Sequence, residues 1–309
     1  MITIYKSAEN VLIPLSEPTS NSWINVINPT PQEIAQIQTL GIPQDYITYP
    51  LDLDERARTE RENGELLIVV RIPYYQGETS DIPYITIPLG IIMTDQHIIT
   101  VCKLENDVLH EFAGSRYRDI STAKRVRFVL RILFAVANRY LMYLREITKK
   151  VDFLEDQLQK STRNKEVLDL LKYQKSLTYF TTALKSNELM MERLSRSKLF
   201  QTFPDDEDLL DDVLTENQQA IEMTNITANI LNSLMDAFAS IISNNLNSVM
   251  KFLASITIIL SLPVLVTSFF GMNVHLPFET NTNAALLIFL ISIVISLLAV
   301  FLFWKRDWL

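Results

Sequence analysis

The sequence predicts an α+β domain, in which a mixed sheet is sandwiched by helices, followed by very long stalk helices and two transmembrane helices. Three observations predict this order. Five of the six glycines lie in the first 114 residues, among β-branched and aromatic runs. The chain from residue 115 to residue 203 contains neither glycine nor proline, and uncharged apolar runs occupy residues 252–270 and 284–304.

Residues 1–114 carry the strand-like segments of the chain. The runs ITIYK, SWINVIN, ELLIVVRIPYY and YITIPLGIIMTDQHIITVCK are bounded by Pro, Gly and Asn, as strands usually are. A helix-like stretch from Thr30 to Leu40 lies between them. We therefore expect an α/β or α+β domain with a mixed sheet.

Residues 115–203 show the period of helices, because apolar residues recur at spacings of three and four. We expect long helices that pack on the first domain. Pro204 and the acidic residues after it are a typical helix start. Since residues 205–262 contain no glycine or proline, one helix of up to 58 residues is possible there, or about 87 Å at 1.5 Å per residue.

The two apolar runs predict membrane spans at 252–270 and 284–304, since each reaches the length that crosses a bilayer. Lys251 precedes the first span, Lys305 and Arg306 follow the second, and the loop 271–283 contains no Lys or Arg. By the positive-inside rule, the stalk segment 204–251 and the basic tail 305–309 both face the cytoplasm. The N-terminal stretch has no apolar core like that of a signal peptide, so we expect a multi-pass protein of the cell membrane with both termini inside.

Composition excludes several classes of function. The net charge of −8, carried by the part predicted to be cytoplasmic, argues against a nucleic-acid partner. A single cysteine, Cys102, agrees with a reducing compartment. The sequence offers no phosphate-binding GxxxxGK[ST] loop and only three scattered histidines, so we predict that the protein is not an enzyme and has no organic cofactor.

A stripe of mostly small and polar residues follows one face of the predicted stalk helix and first span. We label the predicted helix that runs from Pro204 to the end of the first span α6, and we call these eight residues the α6 stripe: Asp236, Asn247, Met250, Leu253, Thr257, Ser261, Val264 and Ser268. In a lone span such a stripe usually packs against another helix. If several copies surround an axis, it lines a pore with an apolar constriction at Met250 and Leu253.

The tripeptide Gly271-Met272-Asn273 ends the first span, and the chain closes with KRDWL. In this context the sequence resembles the CorA family of magnesium channels, and the segments WINV, YPLDLDE, LLIVVRIPYY and NSVMKFL extend the resemblance through most of the chain. The resemblance implies a symmetric homo-oligomer, a pentamer, in the lipid bilayer. It implies influx of Mg²⁺, and of Co²⁺ or Ni²⁺ as further candidates, down the electrochemical gradient.

The tripeptide also has a chemical rationale as a selectivity filter formed by Gly271, Met272 and Asn273. Mg²⁺ sheds its waters reluctantly, so a ring of Asn273 amide oxygens can accept hydrogen bonds from the hydrated ion without holding it as tightly as carboxylates would. We expect Gly271 to let the backbone turn out of the helix.

Three positions depart from the pattern of the family. Phe270 replaces the usual tyrosine, the outer loop reads VHLPFE with its acidic residue at Glu279, and Ser261 stands where related channels can have methionine. Selectivity can therefore differ in detail, and Met250 and Leu253 become the better candidates for an apolar gate.

The resemblance further implies regulatory Mg²⁺ bound between the cytoplasmic domains of neighbouring subunits. Asp54, Glu55 and Asp212 are the matching carboxylates, although Glu55 departs from the usual aspartate. The alternative is that Asp54 and Glu55 form a solvated turn and that Asp212 only complements a helix N-terminus.

Two other functions remain open at this point. One is transport of zinc or another divalent metal, as in the related ZntB type, for which His275 in the loop could be a ligand unless it is ordinary surface. The other is a membrane-tethered scaffold or sensor that conducts nothing. The order of preference among Mg²⁺, Co²⁺, Ni²⁺ and Zn²⁺ does not follow from the sequence.

Overall fold

The computed structural model describes residues 1–8, 11–62, 64–114, 120–160, 164–197, 200, 203–272 and 283–308. It divides into two compact units, Met1–Leu234 and Met235–Leu309. The strands are β1 (Ile2–Ala8), β2 (Val11–Leu15), β3 (Ser22–Ile27), β4 (Arg58–Glu62), β5 (Glu65–Tyr75), β6 (Tyr84–Met93) and β7 (His97–Cys102). The helices are α1 (Pro31–Gln38), α2 (Gln44–Thr48), α3 (Asp107–Ala113), α4 (Arg125–Lys160), α5 (Asn164–Ser195), α6 (Pro204–Phe270) and α7 (Ala284–Lys305), with a 3-10 turn at Tyr49–Leu51.

The strands form one sheet in the order β2-β1-β3-β7-β6-β5-β4. Strands β3 and β7 at its centre are parallel, and all other neighbours are antiparallel. The predicted mixed sheet is therefore confirmed. Every residue of β7 is buried, since this strand lies in the middle of the sheet with both faces covered.

Helices cover the two faces of the sheet because strand residues alternate between them. On one face, Ile24 of β3 joins an apolar cluster with Ile37 of α1 and Ile47 of α2. On the other face, the ring of the preceding residue, Trp23, packs edge-on against Phe112 of α3 at 5.8 Å. The expected sandwich of sheet and helices is confirmed.

A glycine lets the turn before β4 lie close to the sheet. A Cβ placed on Gly90, in the middle of β6, would come within 2.2 Å of Cγ of Pro50, which belongs to the 3-10 turn. Neither the proline ring nor the sheet backbone can move away easily. Gly90 therefore fixes how closely the segment that follows Pro50, which carries Asp54 and Glu55, approaches the sheet.

Within the first unit, the start of α6 packs beside α4 and α5. Arg127 of α4 donates to Asp206 at 2.7 Å and to Asp205 at 3.1 Å, both in the first turn of α6. Asn217 of α6 donates to the carbonyl of Leu184 in α5 at 3.3 Å. The prediction of long helices after the sheet domain is confirmed.

The second unit contains two helices that are long and apolar enough to cross a membrane, α7 and the C-terminal part of α6. The run without glycine or proline allowed one helix as far as Leu262, and α6 continues through Pro263 to Phe270, the last residue of the first predicted span. A proline removes one N–H from the helix ladder, so the carbonyl of Ile259 loses its donor. Membrane helices tolerate this loss more often than soluble helices do.

The C-terminus of α7 ends in a Schellman motif, in which the residue after the helix cap adopts a left-handed conformation. Asp307 has a φ of 53°, its N–H donates to the carbonyl of Trp304 at 3.2 Å, and the N–H of Trp308 donates to the carbonyl of Phe303 at 3.0 Å. The rings of Trp308 and Phe303 stack with centroids 5.6 Å apart. The chain is thus folded back onto the last turn of the helix.

Candidate ion pathway and regulatory carboxylates

All eight residues of the α6 stripe are exposed in the single chain. Ser255, which lies on α6 outside this stripe, is fully buried, and Ser292 of α7 is 2% exposed. A helix cannot cover its own serine completely, so each serine marks a face covered by a neighbouring helix. At about 100° per residue, Val264 of the stripe lies about 180° from Ser255 around the helix. The stripe therefore occupies the face opposite the covered one.

The hydroxyls of the stripe are oriented by their own helix. Thr257 donates to the carbonyl of Leu253 and Ser261 to the carbonyl of Ile258, each at 2.8 Å. Because the proton of each hydroxyl is used within the helix, the oxygen presents its remaining lone pairs outward. Lone pairs of this kind can accept hydrogen bonds from the waters of a hydrated cation.

Two apolar members of the stripe, Met250 and Leu253, precede these hydroxyls along α6. Met250 is 57% exposed and Leu253 is 53% exposed. Large exposed apolar side chains in a row of polar ones are costly in water. A ring of them formed by several copies of the chain would exclude water at one level, as an apolar gate does.

The tripeptide is described only in its first two residues. Gly271 follows the last residue of α6, and its N–H donates to the carbonyls of Thr267 at 3.0 Å and Ser268 at 3.3 Å. The chain leaves the helix at this glycine without a positive φ, so the turn does not use the left-handed conformation. The lack of a side chain matters instead, because a Cβ would lie 3.2 Å from the Thr267 carbonyl oxygen. Asn273, His275 and Glu279 lie outside the described residues.

Two of the three carboxylates predicted to bind regulatory Mg²⁺, Asp54 and Glu55, lie directly after the 3-10 turn. Asp54 is exposed, and its N–H donates to a carboxylate oxygen of Asp52 at 3.1 Å. Glu55 is half-buried and forms an ion pair with Arg58 at 3.1 Å. Asp54 is therefore the carboxylate of this pair that is better placed to take a cation.

The side chain of Arg71 in β5 binds the main chain of the turn that carries Asp54 through hydrogen bonds. Its guanidinium donates to the carbonyls of Leu53 at 2.7 Å and Glu55 at 2.8 Å. It also donates to the carbonyl of Thr86 at 2.6 Å. Burial lowers the pKa of Arg71, and the nearby carboxylate of Asp54 opposes that shift. The turn that presents Asp54 is thus fixed to the sheet by a half-buried cation.

The main chain of Arg71 is held in turn by two helices. Asn187 of α5 accepts from the N–H of Arg71 at 2.9 Å and donates to its carbonyl at 2.8 Å, while Tyr140 of α4 donates to the same carbonyl at 3.0 Å. The pairing of β4 with β5 ends at Arg58 and Val69, so β4 has no residue opposite Arg71. The side-chain amide of Asn187 instead bonds the main chain of Arg71, as a neighbouring strand would. The sequence analysis missed Arg71 and Asn187. A charge inside the apolar run ELLIVVRIPYY was the signal for Arg71.

Asp212 lies on α6 in the first unit and is exposed, while its neighbour Val213 is fully buried. Among the residues that the structure describes, no three His, Cys, Asp or Glu side chains come close enough to hold a metal ion. The structure therefore does not bring Asp54, Glu55 and Asp212 together within one chain. Any site that uses all three needs a second subunit.

Two further features of the first unit contain none of the predicted site residues. A cavity of about 550 Å³ is lined by residues that include Arg61, Lys124, Arg127 and Asp206, of which the last two neutralise each other. Cys102 is buried, which raises the pKa of its thiol to about 11 and keeps it protonated at neutral pH.

Comparison with known proteins identifies the family. The model of the family described as "CorA-like Mg2+ transporter protein" matches residues 19–306. The "Cobalt/magnesium transport protein CorA" of Methanocaldococcus jannaschii is 25% identical over 293 residues, which cover 93% of this chain and 91% of that protein.

Solved structures share the fold. The structure titled "The complete structure of CorA magnesium transporter from Methanocaldococcus jannaschii" has a TM-score of 0.86 at 23% identity and covers 100% of this chain and 99% of that one. The cytoplasmic domain of ZntB from Vibrio parahaemolyticus has a TM-score of 0.63 at 10% identity, covering 78% of this chain and 98% of that domain. The sheet domain, the long helices and the two candidate membrane helices thus match the CorA fold. Because the family model spans nearly the whole sequence, this chain belongs to the CorA-like Mg2+ transporter family.

Proposed function

We propose that this protein is a homo-oligomeric, pentameric channel of the cell membrane through which Mg²⁺ enters the cytoplasm. Residues 1–114 form its cytoplasmic sheet domain, residues 115–203 its packed helices and residues 204–251 the cytoplasmic stalk. Residues 252–270 form the pore-lining span, residues 271–283 the outer loop, residues 284–304 the second span and residues 305–309 the cytoplasmic tail. Co²⁺ is a second candidate ion, since relatives are named as cobalt/magnesium transport proteins.

The main support for this proposal is that the tripeptide Gly271-Met272-Asn273 lies inside the region matched by the family model. Residues 19–306 match the family model, and this range includes Gly271, Met272 and Asn273 between two helices that are apolar enough to span a membrane. The α6 stripe supports the same proposal, because it is polar, exposed and opposite the covered face of α6. In a scaffold or sensor that conducts nothing, the same stripe would serve only to pack against another helix.

In the proposed mechanism, a ring of Asn273 side chains receives the hydrated ion at the outer mouth. The amide oxygens accept hydrogen bonds from the waters that Mg²⁺ keeps, and Glu279 in the same loop adds negative charge near the entrance. The outward lone pairs of Thr257 and Ser261 continue this polar path along α6. Met250 and Leu253 then form the apolar constriction.

The membrane potential supplies the driving force. A dication that crosses about 100 mV, inside negative, gains about 4.6 kcal/mol, which is twice the value for a single charge. Inward flow therefore needs no nucleotide, in keeping with a sequence that offers no GxxxxGK[ST] loop.

We further propose that cytoplasmic Mg²⁺ closes the channel by binding between subunits. Asp54 from one subunit and Asp212 from its neighbour would repel each other unless a dication bridges them. Glu55 is the weaker ligand, because Arg58 already neutralises it. High internal Mg²⁺ would hold the subunits in one closed arrangement, and falling Mg²⁺ would release them.

Ion uptake into liposomes that contain the purified protein tests this function. Mg²⁺, Co²⁺, Ni²⁺ and Zn²⁺ are each offered under a controlled potential, and Asn273→Ala is the matched control. Uptake of Mg²⁺ that requires the potential and Asn273 supports the channel. Uptake of Zn²⁺ alone would favour the ZntB-like alternative, and a lack of all flux would favour the scaffold.

A further inference from the structure

The end of α7 carries a surface that the transport function does not use. The apolar part of this helix is followed directly by two tryptophans and two basic residues: Trp304, Lys305, Arg306 and Trp308. Trp304 is 68% exposed although it is a large apolar residue. Tryptophan is enriched where a membrane helix meets the headgroup region, because the ring has an apolar body and one N–H donor.

The Schellman motif decides where Trp308 lies. An extended chain after Lys305 would carry Trp308 away from the helix into water. The left-handed Asp307 instead turns the chain back, so that the Trp308 ring stacks on Phe303 at a centroid distance of 5.6 Å. Trp308 is thereby held at the level of the last helical turn, together with Trp304.

We propose that this cap is an interfacial anchor, in which Asp307 holds Trp308 so that both tryptophans contact the ester region of the phospholipids. Lys305 and Arg306, which are exposed, extend from the same turn towards the lipid phosphates. Asp307 is the one carboxylate in the segment from Trp304 to Trp308. In this proposal it contributes its left-handed backbone conformation, and its charge has no role. The proposal rests on the membrane-spanning role of α7 in the proposed function.

The choice of residue at the left-handed position supports this assignment. A positive φ is easy for glycine and accessible to aspartate or asparagine, but strained for a β-branched residue. Asp307→Gly is therefore a variant that keeps the cap, and Asp307→Val is a variant that breaks it. Both variants remove the charge, so a difference between them does not arise from its loss.

Fluorescence quenching in bilayers tests the anchor on the full-length protein. Trp304→Phe leaves Trp308 as the interfacial reporter, and Trp308→Phe leaves Trp304. Trp23 is fully buried in the sheet domain and gives the same background in both. Vesicles contain phosphatidylcholine brominated either near the ester end or near the methyl end of its acyl chains.

We expect Trp308 to be quenched more strongly by bromine near the ester end. Adding Asp307→Val should weaken that quenching and shift the Trp308 emission to the red, whereas Asp307→Gly should change neither. Equal quenching in the Val and Gly variants would overturn the proposal. So would a Trp308 that lipid does not quench while Trp304 is quenched, since Trp308 would then face water or protein. If neither tryptophan is quenched in either parent, the membrane-spanning role of α7 itself is wrong.

Discussion

Strand β7 and helix α7 are both made mostly of apolar residues, yet their environments are opposite. Every residue of β7 is buried by its own chain. In α7, Ser292 is the one buried residue of 22. The first unit therefore contains the groups that cover its apolar surface, whereas the second depends on groups that a single chain does not contain. In the proposed channel, lipid and the neighbouring subunits would cover this surface.

This contrast predicts two kinds of variant. Substitutions in the second unit should change ion flux and leave the unfolding of the first unit unchanged. Substitutions at the contacts of the first unit should change its stability, and those on its exposed carboxylates should change only regulation.

The largest effect is expected from Asn273→Ala, which removes the proposed filter acceptors. Mg²⁺ uptake should fall to the background of empty liposomes, while oligomer size and the melting temperature of the first unit stay unchanged. Asn281→Ala, an asparagine of the same loop outside the tripeptide, is the control. Normal uptake by Asn273→Ala would contradict the filter.

The next effect concerns the apolar constriction. Leu253→Asp and Met250→Asp each add a polar group to the exposed face of α6 and should favour hydration there. Electrical recordings at high internal Mg²⁺ should show a leak in both variants. Leu253→Val keeps the position apolar and should stay closed. If all three variants behave like the wild type, this stripe does not face the ion pathway.

Gly90→Ala should destabilise the first unit by about 2–3 kcal/mol, because the new methyl group overlaps Pro50. Chemical unfolding followed by the fluorescence of the buried Trp23 measures this loss. Adding Pro50→Gly removes the obstructing ring and should restore part of the stability. A single variant as stable as the wild type would show that the turn is free to move.

Arg71→Lys is expected to cost about 2 kcal/mol, because an ammonium group cannot reach the carbonyls of Leu53, Glu55 and Thr86 together. The same unfolding assay applies, with the exposed Arg56→Lys as control. Inhibition by internal Mg²⁺ should also weaken, since the turn that presents Asp54 loses its support. Loss of stability with an unchanged inhibition curve would limit Arg71 to a structural role.

The smallest effect on folding is expected from Asp212→Lys, whose side chain is exposed. Inhibition of uptake should require more internal Mg²⁺, because a fixed cation replaces one partner of the proposed bridge. Asp54→Lys combined with Glu55→Lys should act in the same direction. Asp211→Lys, the exposed neighbour, is the control. Superimposable inhibition curves for Asp212→Lys and Asp211→Lys would place the sensor elsewhere.

The order of elements could be predicted from the sequence because the signals are local. Runs such as ELLIVVRIPYY and the glycine-free region after residue 114 indicate strands and helices within a few residues of each element. The two apolar spans follow from length and charge alone. The length of α6 was harder to predict, since Pro263 usually ends a soluble helix but lies inside this one.

The site could be predicted less completely, because its parts meet only in the folded or assembled protein. Asp54 and Asp212 are far apart along the chain, and one subunit does not join them in a metal site within the described residues. Arg71 acts through carbonyls that no side-chain pattern reveals. The sequence does not reveal how Gly271 leaves the helix: its φ is not positive, and a Cβ there would lie 3.2 Å from the Thr267 carbonyl oxygen.

The pairing of Asn187 with the main chain of Arg71 has a consequence for the order in which the first unit assembles. The two residues are 116 positions apart, so the N–H of Arg71 stays without its partner until α5 docks against the sheet. Closing so long a loop is slow compared with forming a hairpin. The Arg71 amide proton should therefore be among the last in β5 to gain protection from hydrogen exchange during refolding. In the native protein, its exchange rate should report the undocking of α5.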